Sequence, residues 1–436
     1  MMTTAYINIW GKRVGAVAWD SDNQLGSVEF EPSFLRQNWD VAPLKMPIAE
    51  AEGKVFSFPD LRGNKTFKGL PGLLADVLPD KYGNTLINAW LAQNGRPGDS
   101  LNPVEMLCFI GERGMGALEF EPVVPKASGK STKIEIDGLV QIAQEILSGR
   151  QNFNTNLNEN EKKALVEILK VGTSAGGARA KALISYNPDT GEVKSGQALS
   201  PKGFTHWLIK FDGVKDDQLS SGNSPLSSSS GYGRVEMAYH RMAVDCRIEM
   251  TECRLLEENG RAHFMTRRFD RIPGKGKLHV QTFCAIQHYD FAQITSYSYE
   301  QLFQTMRILR LPYPRMEQLF RRMVFNVVAR NCDDHAKNFA FIMDKKGKWD
   351  ISPAYDLCHA YRPGSVWVSQ QSLSVNGRRQ DITIQDMLDV ADQMNIKKGE
   401  PTVEHIVATV RKWLQYAAEQ KVPDSISKAI NSTLLV

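Results

Sequence analysis

Three polar residues in the second half of the chain have the types and the spacing that phosphoryl transfer requires. Asp333 and Asn338 lie five residues apart in the segment Arg330-Asn-Cys-Asp-Asp-His-Ala-Lys-Asn-Phe339, and Asp356 follows eighteen residues after Asn338. Phosphoryl transfer needs a carboxylate that accepts or orients the acceptor hydroxyl, and two oxygen ligands that hold Mg²⁺ on the triphosphate. In protein kinases the base Asp precedes a metal-binding Asn by five residues, and a second metal-binding Asp follows. The three residues therefore match the base and metal-ligand positions of a kinase in order and spacing.

Two other interpretations of this segment remain open. Asp, Asn and His are common in turns, where they hydrogen-bond the backbone, so each of these residues alone is compatible with a structural turn. A metal-dependent hydrolase is the other possibility, with the ligands Asp333, Asp334, His335 and His359. No His-x-x-x-His pair accompanies them, which makes a hydrolase the weaker interpretation. His335 is expected to brace the loop, because Asp333 holds the base position.

Two upstream segments contain the parts that a nucleotide site would need. Gly172-Thr-Ser-Ala-Gly-Gly-Ala-Arg-Ala-Lys181 has three glycines, which allow backbone N–H groups to approach phosphate oxygens. Lys210 lies inside the apolar strand pattern Thr205-His-Trp-Leu-Ile-Lys-Phe-Asp212, and a buried lysine requires an anionic partner. Glu236, in the following predicted helix, is a candidate for that partner. A left-handed turn at the glycines and an edge strand with Lys210 in water are the alternatives.

The elements that must position these residues form three parts. The first is a predicted antiparallel sheet with strands at Ala5–Trp10, Arg13–Trp19 and Gly26–Phe30, followed by a helix at Pro103–Ile110. A Pro-, Ser- and Lys-rich linker at residues 122–132 ends this part. The second part mixes helices, predicted at 134–146, 159–170 and 234–247, with strands, and it includes a serine-rich loop at 219–231. The third part is mostly helical, and its apolar helix at Met316–Ala329 leads into the Asp333 segment.

The composition is that of an ordinary globular protein and leaves the partner open. Lys and Arg number 53 and Asp and Glu number 49, so the net charge over 436 residues is only +4. That excess gives no indication of a polyanionic partner. The six cysteines form no Cys-x-x-Cys pair, which is typical of reduced thiols in a cytosolic protein. No signal peptide and no apolar run of roughly 20 residues is found, so the sequence predicts a cytoplasmic protein without a membrane contact.

Taken together, four motifs resemble the HipA-type serine/threonine kinases, which are toxins of bacterial type II toxin–antitoxin pairs. The motifs are Ser174-Ala-Gly-Gly-Ala-Arg-Ala-Lys181, Arg268-Phe-Asp-Arg271, Asp333-Asp-His-Ala-Lys-Asn-Phe339 and Pro353-Ala-Tyr-Asp356. Leu78-Pro-Asp-Lys-Tyr-Gly83 is similar to the N-terminal subdomain of that family, so the resemblance covers nearly the whole chain. It implies an α+β, kinase-like bilobal fold related to phosphoinositide-type kinases. A β-rich N-terminal subdomain (residues 1–125), a kinase N-lobe (126–270) and an all-helical C-lobe (271–436) are expected.

The resemblance also implies a role for individual residues, with ATP and Mg²⁺ as cofactors. Asp333 is expected to be the catalytic base, and Asn338 and Asp356 are expected to hold Mg²⁺. Lys210 is expected to contact the α- and β-phosphates. The residues implied in ATP binding are Gly176, Gly177, Ala178, Arg179, Lys181, Lys210, Arg267, Phe269, Asp270, His335, Asn338, Tyr355 and Asp356.

The expected adenine contacts come from a hinge at the end of a strand. Main-chain groups of Arg267 and Phe269 are expected to face adenine, with Asp270 near the ribose. Family members often have Glu or Gln where this chain has Arg267, so only a main-chain role is expected there. The side chains of Arg268 and Arg271 are expected to form a solvated salt-bridge cluster with Asp270.

Regulation and partners follow from the same resemblance. Ser174 matches the position that family members autophosphorylate, and a phosphate of about −1.5 to −2 charges in the ATP-phosphate loop would repel the nucleotide. The resemblance implies a small helix-turn-helix, HipB-like antitoxin, operator DNA contacted mainly through that antitoxin, and a protein substrate such as an aminoacyl-tRNA synthetase. The alternative is a catalytically silent nucleotide-binding partner that acts as a co-repressor.

Overall fold

The structure is a computed structural model that describes residues 3–122, 143, 180–195, 202–214 and 230–436. Several sequence predictions lie outside the described residues. These are the glycine-rich segment with Ser174, Gly176, Gly177, Ala178 and Arg179, the predicted helix at 159–170, nearly all of the helix at 134–146, and most of the serine-rich loop. Elements are numbered below within the described residues.

The first part is a five-stranded antiparallel sheet, and its first three strands lie where the sequence predicts them. Its strands are β1 Thr3–Ile9, β2 Lys12–Asp20, β3 Leu25–Phe30, β4 Val55–Phe56 and β5 Leu118–Glu121, in the order β4-β3-β2-β1-β5. In β1, Ala5, Ile7 and Ile9 are fully buried while Tyr6 is exposed, which is the period of two expected for a half-buried strand. The helices α1 Gly72–Ala75, α2 Lys81–Gln93 and α3 Pro103–Ile110 complete this part, which is called the front domain below.

A second five-stranded antiparallel sheet carries the lysine that the sequence singled out. It contains β6 Lys181–Tyr186, β7 Val193–Ser195, β8 Thr205–Lys210, β9 Cys253–Glu258 and β10 Arg261–Arg267, in the order β7-β6-β8-β10-β9. Helix α4 Tyr232–Asp245 packs on β9 and β10. A Cβ on Gly233 would lie 1.9 Å from the carbonyl oxygen of Ala262, so only glycine lets the start of α4 approach the sheet this closely. Glu236 lies one turn beyond this contact.

The remaining residues combine helices with two small sheets. The strands are β11 Arg271–Ile272, β12 Gly276–Lys277, β13 His279–Thr282, β14 Ala340–Met343 and β15 Trp349–Ile351, and β13-β14-β15 form a three-stranded antiparallel sheet. The helices are α5 Phe283–Gln287, α6 Tyr299–Ile308, α7 Tyr313–Val328, α8 Ile384–Met394, α9 Gly399–Val410, α10 Trp413–Glu419 and α11 Asp424–Asn431.

The expectation of an all-helical C-lobe is therefore wrong. Strand β13 pairs with β14 across nearly sixty residues of sequence, and each strand has four residues. A strand was predicted at Phe339–Met343, where β14 lies, but helical patterns dominate residues 271–436 and outweigh strands of two to four residues. The chain is a mixed α/β protein of sheets and helices. Within the described ranges, no helix has both the length and the apolar character needed to cross a membrane.

The front domain is docked on this mixed region through indole N–H groups. Trp10 donates to the carbonyl of Lys277 at 2.7 Å, and Trp39 donates to the carbonyl of Lys345 at 2.8 Å. Trp349 donates in the opposite direction, to the carbonyl of Asp40 at 3.2 Å. Because hydrogen bonds are directional, these three bonds fix the orientation of the front domain as well as its contact area.

Candidate active site

Lys210 lies in the middle of the second sheet and is held by two carboxylates. Strand β8 has a neighbour on each side, so the edge-strand alternative is wrong. The Lys210 Nζ lies 2.5 Å from Oε1 of Glu236 and also pairs with Asp356. Burial would lower the pKa of Lys210, but the carboxylates of Asp356 and Glu236 outweigh it and raise that pKa. The predicted Lys210–Glu236 pair is confirmed, and the lysine is a fixed cation.

Asp356 combines an unusual backbone with a strongly ionised side chain. Its φ is +55°, in the left-handed region that non-glycine residues seldom adopt and that is often found at functional sites. Burial would raise its pKa, but Lys210 and Lys181 hold it at about 2. The residue therefore presents a permanently charged carboxylate where β8 and α4 face the loop after β15.

The segment from Asp333 to Asn338, called the catalytic loop below, connects α7 to β14. The side-chain amide of Asn338 donates to the carbonyl of Asp333 at 2.6 Å, which ties the two ends of the loop together. His335 caps a short 3₁₀ helix, Ala336–Asn338, because its Nδ1 accepts from the backbone N–H of Lys337 at 3.2 Å. His335 thus braces the loop as the sequence predicts. The Asp333 side chain is 47% exposed, with Oδ1 lying 3.7 Å from Nε2 of His335.

The next residue, Asp334, faces the protein interior and is fully buried. Its carboxylate accepts from the hydroxyl of Tyr299 at 2.7 Å and from the backbone N–H of Ser372 at 2.7 Å. Burial raises the pKa of Asp334 to about 7. His359 is also buried, and its Nε2 lies 2.9 Å from the hydroxyl of Thr433. Two of the four hydrolase ligands are thus engaged inside the protein, and the described ranges contain no cluster of three His, Cys, Asp or Glu suited to a metal ion.

Tyr355 links the catalytic loop to the hinge. Its hydroxyl donates to the carbonyl of Lys337 at 2.7 Å. Its ring is stacked on that of Phe269, with centroids 5.8 Å apart and an interplanar angle of 30°. Two residues that the sequence implied in nucleotide binding therefore lie together at the end of β10.

The hinge itself is tightly bonded within the protein. The N–H of Arg267 donates to the carbonyl of Glu252 at 2.9 Å, so an adenine contact from this residue would use its carbonyl. The carboxylate of Asp270 accepts from Arg268 at 2.6 and 2.8 Å and from Arg271 at 2.7 Å. Burial opposes ionisation, but the two guanidinium groups hold the pKa of Asp270 well below its usual range. The salt-bridge cluster is present, but it is buried rather than solvated, and a ribose contact for Asp270 stays a prediction.

The oxygen chemistry at the loop suits a magnesium ion shared with a nucleotide. Asn338 donates through its amide nitrogen, which directs the carbonyl oxygen of that amide away from the bond, and Asp356 is held ionised. Mg²⁺ takes oxygen ligands and is commonly bound by one or two side chains together with substrate phosphates. Asn338 and Asp356 therefore offer the kind of oxygen ligand that Mg²⁺ takes, and their metal-binding role stays a prediction.

Two models of known protein domains match this chain. Residues 5–121 match the model of the HipA N-terminal domain, and residues 173–417 match that of the HipA-like C-terminal domain, which is more than half of the chain. The chain belongs to the HipA family. Over 142 residues it is 24% identical to Y4mE of Sinorhizobium fredii, a protein named as a kinase candidate, and the match covers 30% of this chain and 34% of that protein. The chain thus spans about a third of that relative.

One solved structure shares the fold of this HipA-family chain over nearly its whole length. The HipA of Shewanella oneidensis MR-1, solved with HipB and its operator DNA, matches with a TM-score of 0.66 at 16% identity, covering 99% of this chain and 96% of that one. The proinflammatory kinase CtkA of Helicobacter pylori matches with a TM-score of 0.32 at 13% identity, covering 59% and 92%.

The sequence missed one charged partner in this HipA-family site. The ammonium of Lys181 lies 3.4 Å from Oδ2 of Asp80, a residue of the front domain. Asp80 also caps α2, because its Oδ1 accepts from the N–H of Gly83 at 2.7 Å. In the sequence, Asp80 stands in the Leu78–Gly83 motif just before a helix, and capping alone explains an Asp at that position.

Proposed function

We propose that this HipA-family chain is an ATP- and Mg²⁺-dependent protein serine/threonine kinase that acts as a growth-arresting toxin. One observation carries the proposal: Lys210 is clamped between Glu236 and Asp356, beside a loop whose Asp333 is open to solvent. A lysine paired with a helix glutamate, next to a metal-binding Asp, is the arrangement that kinases use on nucleotide phosphates. The sheet with α4 and the helical region would form the two lobes of a kinase-like fold related to phosphoinositide-type kinases.

The proposed reaction assigns a task to each of these side chains. A serine or threonine hydroxyl attacks the γ-phosphorus of ATP, its oxygen bonds to phosphorus, the bond to the bridging oxygen breaks, and ADP leaves. Asp333 takes the hydroxyl proton. Lys210 binds the α- and β-phosphates, while Asn338 and Asp356 hold the metal. Bound Mg²⁺ supplies neutralisation of the phosphate charge. Tyr355 and Phe269 position the adenine side of the site through their stacked rings.

The proposed partners follow the Shewanella oneidensis assembly, in which HipA was solved with HipB and operator DNA. We expect a HipB-like antitoxin to neutralise this chain and to contribute most of the contact with operator DNA. The net charge of +4 over 436 residues is compatible with that division. The proposed cellular setting is the cytoplasm, and the proposed substrate is a translation component such as an aminoacyl-tRNA synthetase.

Self-inactivation is proposed to occur at Ser174, which lies outside the described residues. A phosphate on this residue, two positions before Gly176, would carry about −1.5 to −2 charges into the loop expected to cover the ATP phosphates. Like-charge repulsion would then exclude the nucleotide.

Mass spectrometry of the full-length protein after incubation with Mg-ATP tests the proposal, with Asp333→Asn as the matched control. The expected result is a phosphate on Ser174 in the wild type and none in the variant, with ATP bound by both. Growth arrest on overproduction should disappear in the same variant. ATP binding without phosphate transfer to Ser174 or to any added cell protein would instead identify the silent nucleotide-binding co-repressor.

A further inference from the structure

Two lysines face each other on the second sheet. Lys181 of β6 and Lys210 of β8 are directly opposite in the antiparallel register. Their side chains are only 2% and 14% exposed. Like charges directly opposite on a sheet destabilise it, and burial increases that cost. The arrangement is stable only where anions face both lysines, so it marks a site for negative charge.

Each lysine has its own carboxylate from a different element. Lys210 is held by Glu236 of α4 at 2.5 Å, and Lys181 is paired with Asp80 of the front domain at 3.4 Å. Asp80 divides its two oxygens between two tasks. Oδ1 accepts from the N–H of Gly83 and caps α2, whereas Oδ2 faces the lysine. The cap orients the carboxylate, so its second oxygen is fixed toward Lys181.

The rest of the interface holds the front domain in place independently of this pair. Asp76 accepts from the N–H and the hydroxyl of Thr282 at 2.7 and 2.8 Å. On another side, Asp290 accepts from the amide of Asn64 at 3.0 Å and from the hydroxyl of Thr66. Removing the charge of Asp80 therefore leaves the domain docked, and its effect can be read at Lys181.

We propose that the front domain completes the nucleotide site, with Asp80 as the positioning residue that holds Lys181 toward the phosphates. The inference rests on the proposed kinase function. A lysine ammonium has three N–H donors, which is more than a single carboxylate oxygen can accept from. The Lys181–Asp80 pair thus repeats, across the domain interface, the arrangement that Lys210 and Glu236 form within the sheet.

The charges around the pair explain why Lys181 depends on Asp80. Burial lowers the pKa of Lys181, Asp80 and Asp356 raise it, and Lys210 lowers it further. On the other side, burial raises the pKa of Asp80, while Lys181 and Lys337 lower it. Without the Asp80 charge, one of the two carboxylates that oppose burial and the neighbouring Lys210 is lost. Lys181 then loses its proton more readily as the pH rises.

The test is Asp80→Asn in the full-length protein, because asparagine is an equally good helix cap and only the charge is removed. Isothermal titration with Mg-ATP should give a dissociation constant about 10-fold to 100-fold weaker, the size expected for a charge-assisted hydrogen bond. Asp290→Asn, the same substitution at another contact of the front domain, should bind Mg-ATP like the wild type.

A double-mutant cycle with Lys181→Met separates positioning from a general structural effect. If Asp80 acts through Lys181, Asp80→Asn causes no further loss of affinity in the Lys181→Met background. An equal loss in both backgrounds, or no loss in the single variant, overturns the inference and leaves the kinase proposal standing. Failure of the wild type to bind Mg-ATP overturns both. If Asp80→Asn does not fold, the double variant, which lacks both charges of the pair, must match Lys181→Met in affinity. Any difference between these two variants contradicts the inference.

Discussion

The charged side chains on the two walls of the candidate site differ in their exposure to solvent. On the sheet wall, called the lysine face here, Lys181, Lys210 and Glu236 are nearly buried and each is paired. On the opposite wall, the catalytic loop leaves the Asp333 side chain 47% exposed. Charges that are fixed and desolvated before the substrate arrives stabilise a transition state without reorganisation. An exposed carboxylate, in contrast, can be reached by the hydroxyl of a folded protein.

The buried lysine face suits a small ligand of constant shape, and the exposed catalytic loop suits a large and variable one. Nucleotide phosphates present the same geometry every time, so buried and rigid cations suit them. A protein acceptor must bring its own surface to the loop, so the base there needs an open approach. The catalytic loop repeats this contrast within two residues, because Asp334 is fully buried while Asp333 is exposed.

The largest expected effect separates the two walls by removing the base alone. Asp333→Asn should lower the rate of phosphoryl transfer by about 10²-fold to 10⁴-fold, the usual contribution of a general base. The dissociation constant for Mg-ATP should change by less than about twofold, because the lysine face is untouched. Single-turnover transfer from labelled ATP and titration calorimetry measure the two quantities. Equal losses of transfer rate and of Mg-ATP affinity would show that the two walls do not act separately.

The second prediction concerns the buried neighbour, Asp334, and stability rather than transfer. Its pKa is raised by burial to about 7, above the value of about 3.9 in an unfolded chain. Between these values the folded state binds more protons, so the free energy of unfolding should fall as the pH rises from 5 to 7 and then level off. At about 1.4 kcal/mol per pH unit, the free energy of unfolding should fall by roughly 3 kcal/mol between pH 5 and 7.

Urea unfolding of the wild type and Asp334→Asn at several pH values checks this prediction. The variant has no titrating carboxyl at this position, so its unfolding free energy should lack that decline between pH 5 and 7. Asp333→Asn is the matched control, because it removes the neighbouring half-exposed carboxyl and leaves Asp334 in place, so this variant should retain the decline. A parallel decline in both variants would assign the pH dependence to other groups.

The sequence was most informative where the chemistry is local. The bounds of α3 coincide with the predicted ones, and the Lys210–Glu236 pair joins one strand to a helix that follows it. The Asp80–Lys181 pair joins residues about a hundred positions apart, and no local pattern connects them. The left-handed φ of Asp356 was also beyond prediction, because the residue type permits it without requiring it. Both features depend on tertiary contacts, which local sequence patterns do not reveal.

The third prediction weakens the lysine face while leaving the loop intact. In Glu236→Gln, Lys210 keeps Asp356 but loses its other buried partner, so we expect a loss of about 1–3 kcal/mol in unfolding free energy. Mg-ATP affinity should fall by about 10-fold, since a less firmly held lysine binds phosphates less well. The matched control is Glu257→Gln, whose ion pair with Arg234 at 2.5 Å is 56% exposed on the Glu257 side. It should cost less than about 1 kcal/mol and leave the affinity unchanged. Equal effects of the two variants would argue against a special role for burial.

The smallest expected effect concerns the hydrogen bond between Tyr355 and Lys337 of the catalytic loop. Tyr355→Phe removes the hydroxyl that donates to the carbonyl of Lys337 at 2.7 Å, at a cost of about 0.5–1.5 kcal/mol in unfolding free energy. Because the stacked rings of Tyr355 and Phe269 are retained, Mg-ATP affinity should stay within about twofold of the wild type. Tyr6→Phe on the exposed side of β1 serves as control and should change stability by less than about 0.5 kcal/mol. A tenfold loss of Mg-ATP affinity in Tyr355→Phe would mean that the Tyr355 hydroxyl also contributes to nucleotide binding. Tyr355 would then belong to both walls of the site.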